Sequence, residues 1–148
     1  MVSRARLRAV PDYPATLVDS CVLLDILNVD PTWADWSDDA LAQARRDGPV
    51  VINPIVYAEV SSKFDTVEEL DDALPESEMR REALPYQAGF VASKAFVAYR
   101  RRGGAKRSPL PDFYIGAHAA VAGHRLLTRD AARYRTYFPD LPLIAPAD

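Results

Sequence analysis

Short apolar runs and helix-spaced apolar stripes take turns along this chain. Thr16, Leu17 and Val18 form the first run, which Asp19 ends. Ser20 then opens a segment where Val22, Leu23, Ile26 and Leu27 recur at helical spacing. After the break at Asp30, Pro31 and Thr32, with Thr32 as the expected cap, a second helical stripe runs through Trp33, Trp36, Ala40, Leu41 and Ala44. Gly48 and Pro49 stop it, and Val50 to Ile52 form a second buried run. Asn53 and Pro54 supply a cap and a first-turn proline for a helix reaching about Phe64, with Glu59 inside it.

The alternation continues to the end. Thr66 and Glu69 have capping-box spacing before a short helix that Leu74 and Pro75 close. A longer helix is expected from about Pro85 to Arg102, with Phe90 and Val97 turned inward, and Gly103 and Gly104 ending it. Lys106 to Pro111 reads as a basic loop. Asp112 begins a helix of small residues that Gly123 closes. Arg125 to Leu127 is a third strand, Ala131 to Tyr137 a short helix, and Leu143 and Ile144 a last strand. Strands that alternate with helices predict an α/β fold: a three-layer α/β/α sandwich on a parallel sheet of four to five short strands. Residues 1–15, with two prolines and little periodicity, read as a flexible lead-in to a single domain over residues 16–148.

A length of 148 residues and an apolar fraction of 49% suit one core. No apolar stretch approaches the roughly 20 residues of a membrane span. Cys21 is the single cysteine, so no internal disulfide forms and a cytoplasmic setting is expected. The net charge of −3 hides an asymmetry: residues 30–78 carry thirteen acids against three bases, and residues 79–135 twelve bases against three acids. That split permits contact with nucleic acid without requiring it.

The acids carry the candidate chemistry. Asp19 and Asp130 each follow a strand, Asp112 opens the helix before the third strand, and Glu59 sits on the helix after the second. In open parallel sheets these positions can converge on the C-terminal edge. Four carboxylates there would repel one another unless a cation neutralised them, and oxygen-only ligands favour Mg²⁺ or Mn²⁺ over zinc. Such a site can ionise a water and hydrolyse a phosphodiester. Against this, Asp19 suits a cap or turn, and Asp112 and Asp130 suit helix caps. Cys21 reads as a small buried residue rather than a nucleophile, and neither His118 nor His124 has a spacing that suggests zinc. Asp25 is expected to form a salt bridge or shape the rim. Arg101, Arg102, Lys106 and Arg107, just before Asp112, and Arg129, beside Asp130, are candidate RNA contacts.

With these residues in place, the chain resembles the PIN-domain family of metal-dependent ribonucleases, and within it the toxin half of VapBC toxin–antitoxin pairs. The residues that carry the resemblance are VDSCVLLDIL, NPIVYAEV, LPDFYIGAHA and RLLTRDAARYRTYFPDLPLI, in family order between Thr16 and Ile144. It implies a PIN-like fold and a Mg²⁺- or Mn²⁺-dependent endoribonuclease with an RNA substrate, a cognate antitoxin and a homodimeric state. It makes Asp19, Glu59, Asp112 and Asp130 the metal-binding and catalytic acids, and Ser20 and Thr128 the hydroxyls that orient them. Cys21 departs from the family, whose members usually carry asparagine there, and the lead-in is longer than usual. That departure leaves an alternative: a catalytically weak PIN-like module that binds RNA or protein.

Overall fold

The computed structural model describes residues 15–106 and 110–147. The expected lead-in, apart from residue 15, and Arg107 of the basic loop lie outside the described residues. Five parallel strands form one sheet in the order β3-β2-β1-β4-β5. They are β1 (Thr16–Val18), β2 (Val50–Ile52), β3 (Arg80–Arg81), β4 (Arg125–Leu127) and β5 (Leu143–Ile144). Seven helices connect them among the described residues: α1 (Ser20–Leu27), α2 (Ala34–Asp47), α3 (Pro54–Ser61), α4 (Val67–Ala73), α5 (Tyr86–Arg101), α6 (Pro111–Ala122) and α7 (Ala132–Tyr137).

The central strand is β1. Thr16 faces Val50 on one side and Arg125 on the other, and Val18 faces Leu127. Leu17, Val18, Val51, Leu126 and Leu127 are fully buried, as parallel strands covered on both faces must be. From β1 the chain steps outward to β2 and β3, then returns across the sheet to β4 and β5. Right-handed crossovers therefore place α1 to α4 on one face and α5 to α7 on the other. The contacts agree: α1 packs on α2 and α3, while α5, α6 and α7 pack together. The expected three-layer sandwich is the observed one.

Several local expectations change. The strand β3 has no apolar run; its two arginines pair with Val51 and Ile52 as a charged edge, which discourages further strand addition. On α5 the buried residues are Ala88, Ala92 and Ala95, whereas Phe90 and Val97 are exposed. Small residues on that face let α5 approach α6 closely, so the large side chains point outward. Thr32 does not cap α2: the carboxylate of Asp30 accepts from the backbone N–H groups of Thr32 and Trp33, both at 2.8 Å. Caps at Asn53 and Thr66 form as expected, accepting from Val56 and Glu69. Gly123 ends α6 at φ 71°, in the left-handed region where glycine is at home.

Candidate active site

The change of direction after β3 creates the site. Connections leave β1 toward β2 and β4 toward β5, so the C-terminal ends of β1 and β4 flank the crevice where such sheets bind ligands. Asp19 follows β1 directly and donates its backbone N–H to the carbonyl of Leu127 at 2.9 Å. Thr128 and Asp130 follow β4 at the same edge. Although Asp19 stands at the cap position of α1, its side chain makes no cap bond. Nor does Asp112 cap α6, which starts at Pro111 with Leu110 before it, or Asp130 cap α7, which Ala131 precedes. None of the three aspartates is occupied with holding a helix end.

What holds them is a set of hydroxyls and one arginine. The Oγ1 of Thr128 and the phenol of Tyr134 both donate to Oδ2 of buried Asp19, at 2.9 and 3.0 Å. Ser20 donates to Oε1 of half-buried Glu59 at 3.0 Å, tying α3 to the start of α1. Arg133 on α7 pairs with Oδ2 of Asp112 at 3.3 Å. Burial raises Asp19 above the ordinary carboxylate range against the pull of Thr128 and Tyr134. Burial also raises Glu59, and the charges of Asp19 and Asp112 add to it. Asp112 is raised by burial, then by Asp19 and Asp130, with Arg133 opposing. Glu59 thus feels Asp19 and Asp112, and Asp112 feels Asp19 and Asp130, so Asp112 links the acids expected from the sequence.

These shifts have a sign that can be tested. Carboxyls that bind protons more tightly when folded make the native state the more protonated one, so stability falls as pH rises. The loss begins near the ordinary values, 3.8 for the aspartates and 4.5 for Glu59, and is complete once the folded groups have ionised. In chelator, the melting temperature is expected to fall as pH rises above about 4.5 through the range in which these carboxyls ionise, and added Mn²⁺ is expected to reduce the fall. Asp47, Asp71 and Glu82 shift downward and act only at lower pH, so they do not reverse the trend.

Cys21 lies beside Thr128, its Sγ 3.7 Å from Oγ1. Burial, then the charge of Asp19, pushes its thiol up to about 11, which suits a small filler and not a nucleophile. Asp25 forms the expected salt bridge. Arg129 donates to it twice, at 2.7 and 3.0 Å, Ser37 adds a bond of 2.8 Å, and the guanidinium lies 5.6 Å over the ring of Trp33. Two of the five donors of Arg129 are thus engaged by Asp25, and its side chain is 30% exposed. Arg101, Arg102 and Lys106 are exposed at the end of α5, and Arg100 ties the following turn by donating to the carbonyls of Gly104 and Lys106.

The histidines, distant in sequence, meet. Nε2 of His118 and Nε2 of His124 lie 2.9 and 2.7 Å from Oε1 of Glu82, and the three ligand atoms fall within 4.8 Å of one another. No three of the four acids are that tight. Hydrogen bonding nevertheless disfavours a cation among the histidines. Oδ1 of Asn53 accepts from Val56, so its Nδ2 donates to Nδ1 of His118, and the imidazole proton must sit on Nε2. A metal at Nε2 would leave two N–H groups facing each other or cost α3 its cap. Burial opposes ionisation of Glu82, but the two imidazole donors outweigh it and hold its carboxyl below the usual range.

Sequence reasoning missed Tyr134 and Arg133. Both lie four residues or fewer beyond Asp130 on one turn of α7, yet a Tyr in a short amphipathic helix reads as core, which Tyr134 also is.

Comparison with known proteins bears on this geometry. No curated protein sequence matches the chain. Among solved structures it is similar to VapBC2 from Rickettsia felis bound to a promoter DNA fragment, at 18% identity and TM-score 0.69, covering 90% of this chain and 99% of that one. It is also similar to VapBC-1 from nontypeable Haemophilus influenzae, at 16% identity and TM-score 0.67 over 88% and 97% of the two chains. A toxin–antitoxin complex from Klebsiella pneumoniae matches at 22% identity and TM-score 0.55 over 90% and 98%. At these identities the likeness is one of fold. The model of the PIN domain family matches residues 16–139, from the first residue of β1 past the end of α7 and so across all four acids. The chain belongs to the PIN domain family.

Proposed function

We propose that this protein is an endoribonuclease that uses Mg²⁺ or Mn²⁺ held by Asp19, Glu59, Asp112 and Asp130, and that it is the toxin of a type II toxin–antitoxin pair. One observation supports the reading: burial raises Asp19, Glu59 and Asp112, and the charges of neighbouring acids add to the rise of Glu59 and Asp112. Such a group is costly without a compensating cation, and its all-oxygen donor set suits a hard divalent ion. When bound, that ion would polarise a phosphodiester and ionise a water. The chain's own part is orientation. Thr128 and Tyr134 fix Oδ2 of Asp19, Ser20 fixes Glu59, and Arg133 stands beside Asp112 as a partly exposed counter-charge.

The partner reading draws on the complexes to which the fold is similar. Leu27 and Val29, at the end of α1, and Val67, at the start of α4, are exposed apolar side chains that an antitoxin segment or a second copy would cover.

Calorimetric titration with Mn²⁺, followed by RNA cleavage with and without chelator, tests the proposal. Saturable uptake and chelator-sensitive cleavage are expected. A module that only binds RNA or protein would take up no Mn²⁺, and that result would remove the nuclease reading. Tyr134→Phe keeps the ring and deletes the donor to Asp19. It is expected to weaken Mn²⁺ binding about tenfold, as loss of a ligand-orienting hydrogen bond does.

A further inference from the structure

Asp112 and Asp130 form part of the lining of an open cavity of about 510 Å³ that extends between the end of α5 and α7. Its walls include Tyr99, Tyr137, Thr136 and Arg133. We infer that this cavity seats an unpaired nucleobase of single-stranded RNA next to the bond to be cut, with Tyr99 and Tyr137 as its aromatic walls and Arg133 and Arg102 meeting the adjoining phosphates. The inference rests on the nuclease reading for its substrate, shares Asp112, Asp130 and Arg133 with that site, and adds Tyr99, Tyr137 and Arg102.

Two half-exposed tyrosines meet edge to face with ring centres 6.3 Å apart. Each is braced on the fully buried ring of Phe113, at 5.6 and 5.3 Å, so the walls are rigid. Gly104 lies close against one of them, because a Cβ there would run into the ring of Tyr99. Flat, sequence-tolerant ring surfaces of this kind are what unpaired bases stack on, and a duplex cannot offer its base faces to them. The volume lies within the usual range for small-ligand pockets, about 300–1,000 Å³.

The cations are placed to match. The guanidinium of Arg102 lies 5.9 Å over the ring of Tyr137, and Arg133 stands between the cavity and Asp112. The Arg133–Asp112 pair is 3.3 Å long with both side chains about one-third exposed, 38% and 33%, and holds the arginine only weakly. Arg133 can therefore turn toward an incoming phosphate.

Binding in chelator, where no cleavage interferes, tests this directly. A labelled short single-stranded oligoribonucleotide is titrated at low salt into the wild type, Tyr137→Leu, Tyr137→Phe and Arg133→Ala, with the same sequence as a duplex and heparin as competitors. Tyr137→Leu is expected to weaken binding about tenfold, within the roughly 1–3 kcal/mol of one stacked base, and Tyr137→Phe to bind like the wild type. Arg133→Ala is expected to lower the salt slope by about one. A second measurement needs no variant: oligonucleotides with abasic sites, scanned along the strand, are expected to bind the wild type less well at one position. Equal binding of intact and abasic strands, or duplex or heparin competing as well as single strand, overturns the inference. If abasic sites weaken binding but Mn²⁺ brings no cleavage, the nuclease reading fails and the seat stands. Cleavage with abasic-insensitive binding has the opposite meaning.

Discussion

Asp19→Ala and Asp112→Ala are each expected to lower the rate of Mg²⁺- or Mn²⁺-dependent RNA cleavage about a thousandfold. A bound divalent ion supplies several kcal/mol of charge stabilisation, and each 1.36 kcal/mol, roughly, is worth tenfold in rate. The two variants should differ in stability. Asp19→Ala leaves the buried phenol of Tyr134 and the hydroxyl of Thr128 without their acceptor, at a cost of about 1–3 kcal/mol. Asp112→Ala removes a carboxylate that repels Asp19 and Glu59 and frees only a half-exposed arginine, so its melting temperature in chelator should hold or rise. Equal cleavage by all three proteins would end the nuclease assignment.

The second large effect lies away from the acids. Asp25→Ala is expected to destabilise the fold by about 1–3 kcal/mol, as removing the shared acceptor of buried donors does. Asp25 is 4% exposed, and it is the shared acceptor of Arg129 and Ser37. Because Arg129 lies between Thr128 and Asp130, the loss should also loosen the turn that positions both and reduce cleavage. Chemical denaturation of the variant measures the first effect, and cleavage well below its melting temperature measures the second. Unchanged stability would mean that the bidentate pair is replaceable by water.

How much of this was legible in the chain depends on whether the cause was local. The runs at Thr16–Val18, Val50–Ile52 and Arg125–Leu127, and the caps at Asn53 and Thr66, are set by near neighbours and appear where the pattern puts them. The strand β3 is a strand only because Val51 and Ile52 lie beside it, and two arginines carry no such signal. Phe90 and Val97 were expected inside on size alone, whereas the packing of α5 on α6 selects alanines. The four acids could be placed at one edge because each borders a recognisable element. Of the groups that hold them, Ser20 and Thr128 follow from the family resemblance, but Tyr134, which reaches Asp19 across 115 positions, does not, and the meeting of Glu82 with His118 and His124, 36 and 42 positions away, was equally hidden.

The same strand order governs when the protein can act during its own synthesis. The central strand emerges early, but the neighbour on its other flank is made only with residues 125–127, after more than a hundred intervening positions. Until then Asp19 and Glu59 lack the hydroxyl of Thr128, the phenol of Tyr134 and the carboxylate of Asp130. A nascent chain that stops before β4 thus lacks one wall of the pocket, and pairing of β4 with β1 supplies it. Late closure of long-range contacts, a kinetic burden for most folds, here postpones assembly of the acid cluster until residues 125–134 have been made.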